Sequence, residues 1–500
     1  MDNRHQMLSE STRQKWAPLL NHASLPAIAD QYKKTVTTIL LENQERALRE
    51  DNSISGSGLG TVGGGTVGTT TGLDSFDPIL ISLVRRAMPN LMAYDIAGVQ
   101  PMNGPTGLIF AMKTKYTGTR TSGTEALYNE ADTSFSGKNT ITKNTSGTYP
   151  GTNAGAAGSN SGHYGTMGDL FAGDASSGSD LNFEAGTGMP TTTAETLGSS
   201  GNAFSEMSFT IEKSAVTARS RALQASYTTE LAQDLKAVHG LDAETELANI
   251  LSTEIMFEIN RELVRTVYQV AKLGAQQVDL AGKTSTGGLD ARGGGGQYDL
   301  ELDSDGRWSA EKFRGLTYQI ERECNVVAGE TRRGKANFVI VSPDVASALS
   351  MSGLLDFSPA FSGALNSDVN GSSFAGTLHN GRMKVYIDPY SINTSTSAFT
   401  PQNFVCVGYK GTSPYDAGMF YCPYVPLQMV RAVDTSTFQP KIGFKTRYGM
   451  VSNPYVLNGS GASAISDGER MTPRLNQYYR IFKVTNLHGN DASYGSNTAN

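Results

Sequence analysis

Residues able to do chemistry are few in this sequence, and their spacing is poor. Gly282, Lys283 and Thr284 match the end of a phosphate-binding loop, G-x-x-x-x-G-K-[ST], whose backbone N–H groups wrap a phosphate. The first glycine of that pattern falls at Gln277, and no apolar strand directly precedes the segment. We therefore interpret the segment as a chance match and predict no nucleotide site there.

The histidines also lack a useful arrangement. None of the six is three to five residues from another, which is the local spacing of a zinc-binding pair. No G-x-S-x-G nucleophile elbow occurs. From the residues we expect no catalytic group, no metal site and no cofactor, although a hydrolase site assembled from distant residues stays open as an alternative. The histidines are His5, His22, His163, His239, His379 and His488.

The cysteines and the N-terminal residues indicate in which compartment the protein is made. Cys324, Cys406 and Cys422 form no C-x-x-C pair and no disulfide framework, as expected for a protein made in a reducing cytoplasm. Cys422 lies between aromatic residues, and we interpret it as a small buried residue in preference to a reactive thiol. The polar start, Met1–Glu10, predicts no signal peptide. No run of about 18 apolar residues occurs, so we expect no membrane span.

Length and charge limit the function further. A chain of 500 residues exceeds one compact core, so roughly two to four packed units are expected. The formal net charge is −6, and no run of Lys and Arg occurs. Strong nucleic-acid binding needs a cationic surface that displaces counterions. The composition therefore argues against sequence-specific nucleic-acid binding, without excluding a surface that faces DNA.

Residues 1–50 are predicted to form a helical module of their own. Apolar residues recur at helical spacing after Pro26, and charged residues lie between them. Residues 51–74, almost wholly Gly, Ser and Thr, have the composition of a flexible linker. We therefore predict a helix that is tethered to the main body and not packed into it, serving as a docking device or a removable pro-segment. An ordinary surface helix packed on its own domain is the alternative. The apolar positions are Ile28, Tyr32, Val36, Ile39, Leu40 and Ala47.

The clearest secondary-structure prediction is a long helix that begins after Asp242 and runs to about Gly274. About 31 residues at 1.5 Å each span roughly 46 Å, a length suited to a structural strut. Strands are predicted at 107–112, 337–342, 383–388 and 404–409, and helices from Ser309 and Pro343. The apolar stripe of the long helix comprises Leu247, Ile250, Leu251, Ile255, Ile259, Leu263, Val267 and Val270.

Several long and unusual segments resemble the major head (capsid) proteins of T-even-type myoviruses. Together they sample most of the chain from Ser75 to about Tyr455. The Gly/Ser/Thr-rich stretches at 51–74 and 140–201 lie outside the resemblance. The segments are Ser75–Tyr116, Asn129–Gly137, Ser208–Asn260, Gly408–Gln428 and Thr437–Gly449.

This resemblance implies an α+β architecture, the tailed-phage major capsid fold. Such a fold has a long spine helix, for which residues 242–273 are suited, a peripheral domain, an axial domain and an extended loop that here carries an inserted subdomain. The expected division is 1–50 pro-segment, 51–74 linker, 75–115 N-terminal arm and start of the peripheral domain, 116–207 extended loop with the insert, 208–309 peripheral domain with the spine helix, 310–430 axial domain, and 431–500 return to the peripheral domain and tail.

The resemblance also implies proteolytic maturation by a prohead protease that cuts after Glu and favours Leu or Ile two residues earlier. Leu48 precedes Glu50 at that spacing, which places a candidate cut between Glu50 and Asp51. The alternative cut lies between Glu42 and Asn43. The next glutamate after Glu50 is residue 125, beyond the recognised segment that begins at Ser75, so Glu50 is the last site whose cutting spares that segment.

The implied function is structural and not enzymatic. A protein of this family forms hexameric capsomers of an icosahedral or elongated phage head around the DNA genome, within the virion. Its implied partners are further copies of itself, the pentameric vertex protein, an internal scaffold core, the prohead protease, the portal and, in some cases, decoration proteins and a host chaperonin. The vertex protein of the same phage group is an alternative identity, and a fibre or adhesin-type surface protein is another.

Overall fold

The structure, a computed structural model, describes residues 12–21, 28, 30–55, 91–116, 126–127, 131, 135–136, 189–199, 203–275, 296–301, 304, 306, 308–356, 373–379, 381–392, 403–413, 415–434, 436, 439–454 and 473–487. The chain divides into two compact units. One comprises residues 1–109 with 214–500, and the other residues 110–213. Among the described helices, none is long and apolar enough to cross a membrane.

Helices and strands alternate along the described chain, which confirms the predicted α+β class. The helices are α1 (12–20), α2 (Gln31–Ser55), α3 (Ala93–Ile96), α4 (Thr191–Ala194), α5 (Thr229–His239), α6 (Ala243–Val270), α7 (Ser309–Thr331) and α8 (Pro343–Met351). The strands are β1 (Gly98–Val99), β2 (Thr106–Lys115), β3 (Ser208–Thr217), β4 (Arg219–Ser226), β5 (Ala271–Leu273), β6 (Gln297–Asp299), β7 (Phe338–Val341), β8 (Ser373–Leu378), β9 (Met383–Ile387), β10 (Phe404–Gly408), β11 (Met419–Val433), β12 (Pro440–Ser452) and β13 (Asn476–Thr485).

The larger sheet has seven strands in the order β5-β13-β10-β7-β9-β8, with β6 also paired to β13. Strand β7 lies at its centre, antiparallel to β10 and parallel to β9. All four of its residues, Phe338–Val341, are buried. Continuous burial of this kind requires cover on both faces of a strand, and it explains why the sequence there is an unbroken apolar run.

A buried ion pair joins α7 to this sheet. Arg480 on β13 donates from Nε to Oε2 of Glu323 at 2.6 Å, and both side chains are about 5% exposed (6% and 4%). The other carboxylate oxygen accepts from the Ala275 backbone N–H at 2.8 Å. Gly274 lies so close that a Cβ there would come 2.9 Å from Oε2 of Glu323. The turn after β5 is therefore fixed to the helix by this one carboxylate.

The smaller sheet has four strands in the order β1-β11-β12-β4. Strand β1 is parallel to β11 and pairs through only Gly98 and Val99. The pairing of β11 with β12 shifts register between Pro423 and Val425 and again between Val425 and Gln428. A second proline, Pro426, lies within the second shift. Proline donates no ladder hydrogen bond and is tolerated at bulges and edges, so these prolines account for the irregularity.

The predicted long helix is α6, with 28 residues and a length of about 42 Å. Its predicted end near Gly274 is wrong, because the helix ends at Val270 and Ala271–Leu273 form β5, paired with β13. Leu251, Ile255, Ile259 and Leu263 follow one another every four residues and are buried. Ile250, which was included in the predicted stripe, is 61% exposed, because it lies one residue, or about 100°, from Leu251 around the helix. Asp242 occupies the N-cap position, yet its side chain makes no capping hydrogen bond.

Helix α6 is fixed to the end of β9 by a second carboxylate. Asp388, immediately after β9, is 3% exposed. It accepts from Nη1 of Arg261 at 2.7 Å and from the hydroxyl of Tyr268 at 2.9 Å, and its Oδ1 accepts from the Tyr390 backbone N–H at 3.0 Å. Two residues on one face of α6 thus satisfy a single buried charge at the end of the larger sheet.

The unit formed by residues 110–213 is described in part. It contains the outer part of the two-stranded β2–β3 sheet and the single-turn helix α4. The rings of Tyr116 and Phe135 lie 5.0 Å apart, and Ser205 donates to the Phe135 carbonyl at 2.7 Å. Of the predicted Gly/Ser/Thr-rich insert, residues 140–188 and 200–201 lie outside the described residues.

Sheet membership crosses the predicted domain boundaries. The larger sheet takes β5 and β6 from before residue 310 and β13 from after residue 430. Strand β11, most of which lies inside 310–430, belongs instead to the smaller sheet. Which sheet a strand joins depends on its pairing with segments distant in the sequence. Domain boundaries drawn along the sequence cannot predict such pairing.

Replacing Glu323 with Ala is expected to lower the free energy of unfolding by about 3–5 kcal/mol, because it leaves Arg480 buried without its main counter-charge. The matched control is Lys335→Ala. Lys335 pairs with Glu321 at 3.1 Å, but its side chain is 48% exposed, so a loss below about 1 kcal/mol is expected. Urea unfolding followed by fluorescence measures both. Equal losses in the two variants would contradict the role given to the buried pair.

Candidate functional site: the N-terminal segment and its docking groove

The first candidates to place are the residues that could bind a metal ion. No group of three or more His, Cys, Asp and Glu side chains within them could hold a metal ion. His239 ends α5, and His379 follows β8. The remaining histidines and the Gly282–Thr284 segment lie outside the described part of the chain.

The three cysteines are free and buried. Burial raises the pKa of the Cys422 thiol to about 12, and it raises the pKa of Cys324 to about 12 as well. A thiol with such a pKa is protonated at neutral pH and is a poor nucleophile. The interpretation of Cys422 as a small buried residue is therefore supported by its surroundings.

The described residues of the N-terminal segment, 12–21, 28 and 30–47, pack into the main body, which corrects the prediction of a helix held only by its tether. Helix α2 lies against β11, and Val36, Leu40 and Leu41 are each 1% exposed within the main apolar core. Trp16 and Leu20 of α1 join the same core. The linker composition sets how far a helix can reach, whereas the apolar face of the helix decides whether it docks.

Two amides of α2 complete the backbone hydrogen bonding of the irregular part of β11. Nδ2 of Asn43 donates to the Tyr424 carbonyl at 3.0 Å and to the Met102 carbonyl at 2.7 Å. Oε1 of Gln44 accepts from the Leu427 backbone N–H at 3.4 Å. Buried backbone groups left without partners are costly, and a bulged strand leaves several. We call this surface, formed by Val99, Met102, Tyr424 and Leu427, the docking groove.

Further contacts fix the start of α2 in the groove. The hydroxyl of Tyr32 donates to the Val99 carbonyl. The ammonium of Lys33 lies 5.0 Å from the centre of the Tyr94 ring. Tyr32 also lines an open pocket of about 400 Å³ between the helix and the body, together with Val36, Met102 and Tyr415 among other residues. The helix is therefore held by polar contacts at both ends of its apolar face.

The candidate cut between Glu42 and Asn43 lies inside this docked helix. Oε2 of Glu42 accepts from Nζ of Lys15 and from Nε1 of Trp16, each at 3.1 Å. Burial acts to raise the pKa of the Glu42 carboxyl, but the hydrogen bonds from Trp16 and Lys15 outweigh it and leave the pKa below its ordinary value. Asn43 is 4% exposed. Both residues of this candidate cut are thus already held by contacts within the folded chain.

The other candidate cut, between Glu50 and Asp51, lies in the last turns of α2, which ends at Ser55. The side chains of residues 48–55 lie outside the described part of the structure. The structure therefore brings Glu42 and Asn43 to the groove, while Glu50 and Asp51 fall beyond the last described side chain, Ala47.

A cluster of charges borders the docked helix near Lys410. Burial, with help from the nearby Lys33 and Lys384 ammonium groups, lowers the pKa of Lys410 to about 8, although Asp95 and Asp30 act in the opposite direction. Lys33 and Asp30 belong to the N-terminal segment, whereas the other three groups belong to the body. Docking thus adds one charge of each sign to the surroundings of Lys410.

A second candidate surface is the two-stranded sheet of β2 and β3. Leu108, Phe110 and Met112 alternate along β2 and are each more than half exposed (53%, 62% and 59%). Phe209 and Ile211 on β3 are exposed to a similar extent. Large apolar side chains concentrated on one face of a strand pair are typical of a surface that contacts another protein.

Comparison with known proteins identifies the family. Residues 73–484, more than four fifths of the chain, match the family described as Major capsid protein Gp23. The chain belongs to this family. As a Gp23 family member it is a structural component of the capsid shell of a T4-like phage, and the resemblance noted in the sequence is confirmed, as is the tailed-phage capsid fold that membership implies.

Individual relatives agree with this placement. The chain is 37% identical to the major capsid protein of Vibrio phage KVP40, over 95% of this chain and 99% of that protein. It is 36% identical to the major capsid protein of Enterobacteria phage T4, over 90% and 92%. The capsid vertex protein of phage T4 is 29% identical over 55% of this chain and 59% of its own length. The vertex-protein alternative thus has the shorter and weaker match.

Among solved structures, the capsid of Myoviridae phage XM1 aligns with 79% of this chain and 92% of its own, with a TM-score of 0.35 and 8% identity. The KHP30 bacteriophage capsid of Helicobacter pylori aligns with 57% and 80%, with a TM-score of 0.33 and 10% identity.

Sequence reasoning missed most of the polar part of the groove. The helical pattern found Val36 and Leu40 but gave no role in packing to Asn43, Gln44 or Glu45, all of which are buried. No simple signal marked them, because the run Glu42–Arg46 after Leu41 is wholly polar and such a run ordinarily predicts a solvent-exposed stretch of helix. The helix α1 lies within the predicted helical module 1–50, but no residue of it, including the buried Trp16, was singled out.

Replacing Lys410 with Met is expected to raise the free energy of unfolding at pH 7. With a folded-state pKa of about 8 against an ordinary value of 10.5, the unfolded chain binds more protons than the folded chain between those pH values. Stability of the original protein therefore rises with pH across that window, and the penalty for the buried charge is fully present below it. The variant should lose this rise.

Urea unfolding at pH 7, 8, 9 and 10 measures the effect, with the exposed Lys236→Met as the matched control. The control should keep the pH dependence of the original protein. An unchanged slope between pH 8 and 10 in the Lys410 variant would show that another group is responsible.

Proposed function

We propose that this chain self-assembles into hexameric capsomers that tile the phage head around the DNA genome, and that residues 1–50 form a pro-segment which the prohead protease removes by cutting after Glu50. The observation that carries the first part is the family match over residues 73–484. The second part is supported by the position of the pro-segment, which lies wholly before the matched residues.

The proposed contacts between copies use the exposed β2–β3 sheet. Phe110 and Met112 on β2 and Phe209 and Ile211 on β3 expose apolar surface that a neighbouring copy would cover. Burying a side chain such as Phe stabilises a contact by about 1.5–3 kcal/mol. Repeated at every subunit of a closed shell, contacts of this size add up to strong assembly.

The remaining parts of the proposal concern organisation and partners. We assign α6 as the spine helix of a peripheral domain, residues 310–430 as the axial domain and residues 116–207 as the extended loop with its insert. The partners proposed are the pentameric vertex protein, the scaffold core, the protease and the portal, with decoration proteins and a host chaperonin in addition. The role is structural and without catalysis, and the net charge of −6 suits an inner surface along which DNA slides.

The test is negative-stain electron microscopy of two purified versions, the full-length chain and a chain that begins at Asp51. Shells, tubes, sheets or hexameric rings are expected, with a difference between the versions if the first 50 residues control assembly. A folded monomer at high concentration in both versions would overturn the proposal.

Replacing Phe110 with Asp is expected to raise the concentration needed for assembly by at least about tenfold, since the apolar contact is lost and a charge is buried in its place. Thr106→Asp is the matched control, because Thr106 is exposed on the same face of β2 and the change adds the same charge without removing apolar surface. Light scattering against protein concentration measures the threshold. Equal thresholds for the two variants would show that the apolar face of β2 is not a contact.

A further inference from the structure

The docked helix α2 contains three glutamates, at positions 42, 45 and 50. We propose that docking closes the peptide bonds after Glu42 and Glu45 to proteolysis and so confines cutting of this helix to the bond after Glu50. The inference rests on the proposed function, in which a protease specific for glutamate removes the N-terminal segment. It adds that the groove on the body, and not the sequence around each glutamate alone, selects the bond.

The first argument is the extent of burial around Glu42. A protease binds its substrate as an extended strand, so several residues on each side of the bond must leave the helix. Leu40 and Leu41 are each 1% exposed, Asn43 is 4% exposed and Gln44 is 1% exposed. Cutting after Glu42 therefore requires this stretch to leave the groove and unwind, which breaks the hydrogen bonds to Met102 and the β11 backbone.

The second argument concerns the glutamate side chains. A glutamate-specific protease must bind the free carboxylate of the residue before the bond. The carboxylate of Glu42 is bound by Lys15 and Trp16, and that of Glu45, which is 8% exposed, is bound by Lys15. Helix α1 thus holds both carboxylates against α2. Each carboxylate must give up these partners before a protease can bind it.

The third argument is the position of Glu50 near the end of α2 at Ser55. Terminal turns of a helix fray, and their opening does not require the rest of the helix to move. The leucines, Asn43 and Gln44 can all stay in the groove while residues after Ala47 become extended. The bond after Glu50 therefore needs a smaller opening than the bonds after Glu42 and Glu45.

The test compares bond cleavage in two substrates of the same sequence. The purified full-length chain and a synthetic peptide of residues 31–55 are each treated with a glutamyl endopeptidase, and products are followed by mass spectrometry. The peptide has no groove, so it gives the intrinsic rate at each bond. The ratio of peptide rate to protein rate reports protection, because cleavage follows the population of the opened form. Protection after Glu42 and Glu45 should exceed that after Glu50 by at least about tenfold.

Two variants of the full chain test whether docking is the cause. Leu40→Ala with Asn43→Ala weakens both the apolar and the polar contacts and should speed cutting after Glu42 by at least about tenfold. Tyr32→Phe removes one hydrogen bond, to the Val99 carbonyl, and should have a smaller effect in the same direction. Gln31→Ala, at an exposed position of the same helix, is the matched control and should leave all rates unchanged.

Glu323 provides an internal check on global unfolding, since it is 3% exposed in the core of the body and should stay uncut in every variant. Equal protection at the three bonds of the original chain would overturn the inference. An unchanged rate of cutting after Glu42 in both the double variant and Tyr32→Phe would overturn it as well. Such a result would leave the proposed function intact, because assembly seen by microscopy tests that function separately. If assembly fails while the bonds after Glu42 and Glu45 are still selectively protected, the proposed function would be wrong and the inference on protection would stand.

Discussion

The backbone of strand β11 cannot be satisfied by its own sheet, and much of the arrangement around it follows from that constraint. Two prolines and two register shifts interrupt its pairing with β12. On its other side, β1 and the following Gln100 and Met102 pair with it only as far as the Pro423 carbonyl. The groups left over are a carbonyl at Tyr424 and an N–H at Leu427. Amide side chains from α2 supply the partners, since an amide both donates and accepts. A defect in one strand thereby becomes a specific binding site for a helix.

Elsewhere in the same unit, buried carboxylates join segments that are distant in the sequence. Glu323 holds the turn after β5, β13 and α7 together, and Asp388 joins the end of β9 to α6. Each of these groups contacts segments that are far apart in the sequence. In a shell protein these polar side chains in the interior hold the framework of this unit in one geometry.

Local regularities of the fold could be predicted, and pairings between distant segments could not. The stripe from Leu251 to Leu263 predicted α6, and the unbroken apolar run Phe338–Val341 predicted a buried strand, because each signal lies within one element. The docking of α2 depends instead on the bulges of β11, almost 400 residues later, which no periodicity reports. The long resemblance supplied the family and the function, but its matching segments begin at Ser75, so it gave no packing contacts for residues 1–50, where the groove contacts arise.

Covalent connection changes the physics of the docked segment. Residues 56–72 have the composition of a flexible linker, which holds an attached ligand at an effective concentration on the order of millimolar. Occupancy of the groove is then independent of how dilute the protein is. After a cut the same contacts become an association between two molecules, and occupancy depends on the concentration of free peptide. The concentration of the free peptide depends on the volume in which it is confined. That volume, and no longer the length of the linker, then determines whether the groove is filled.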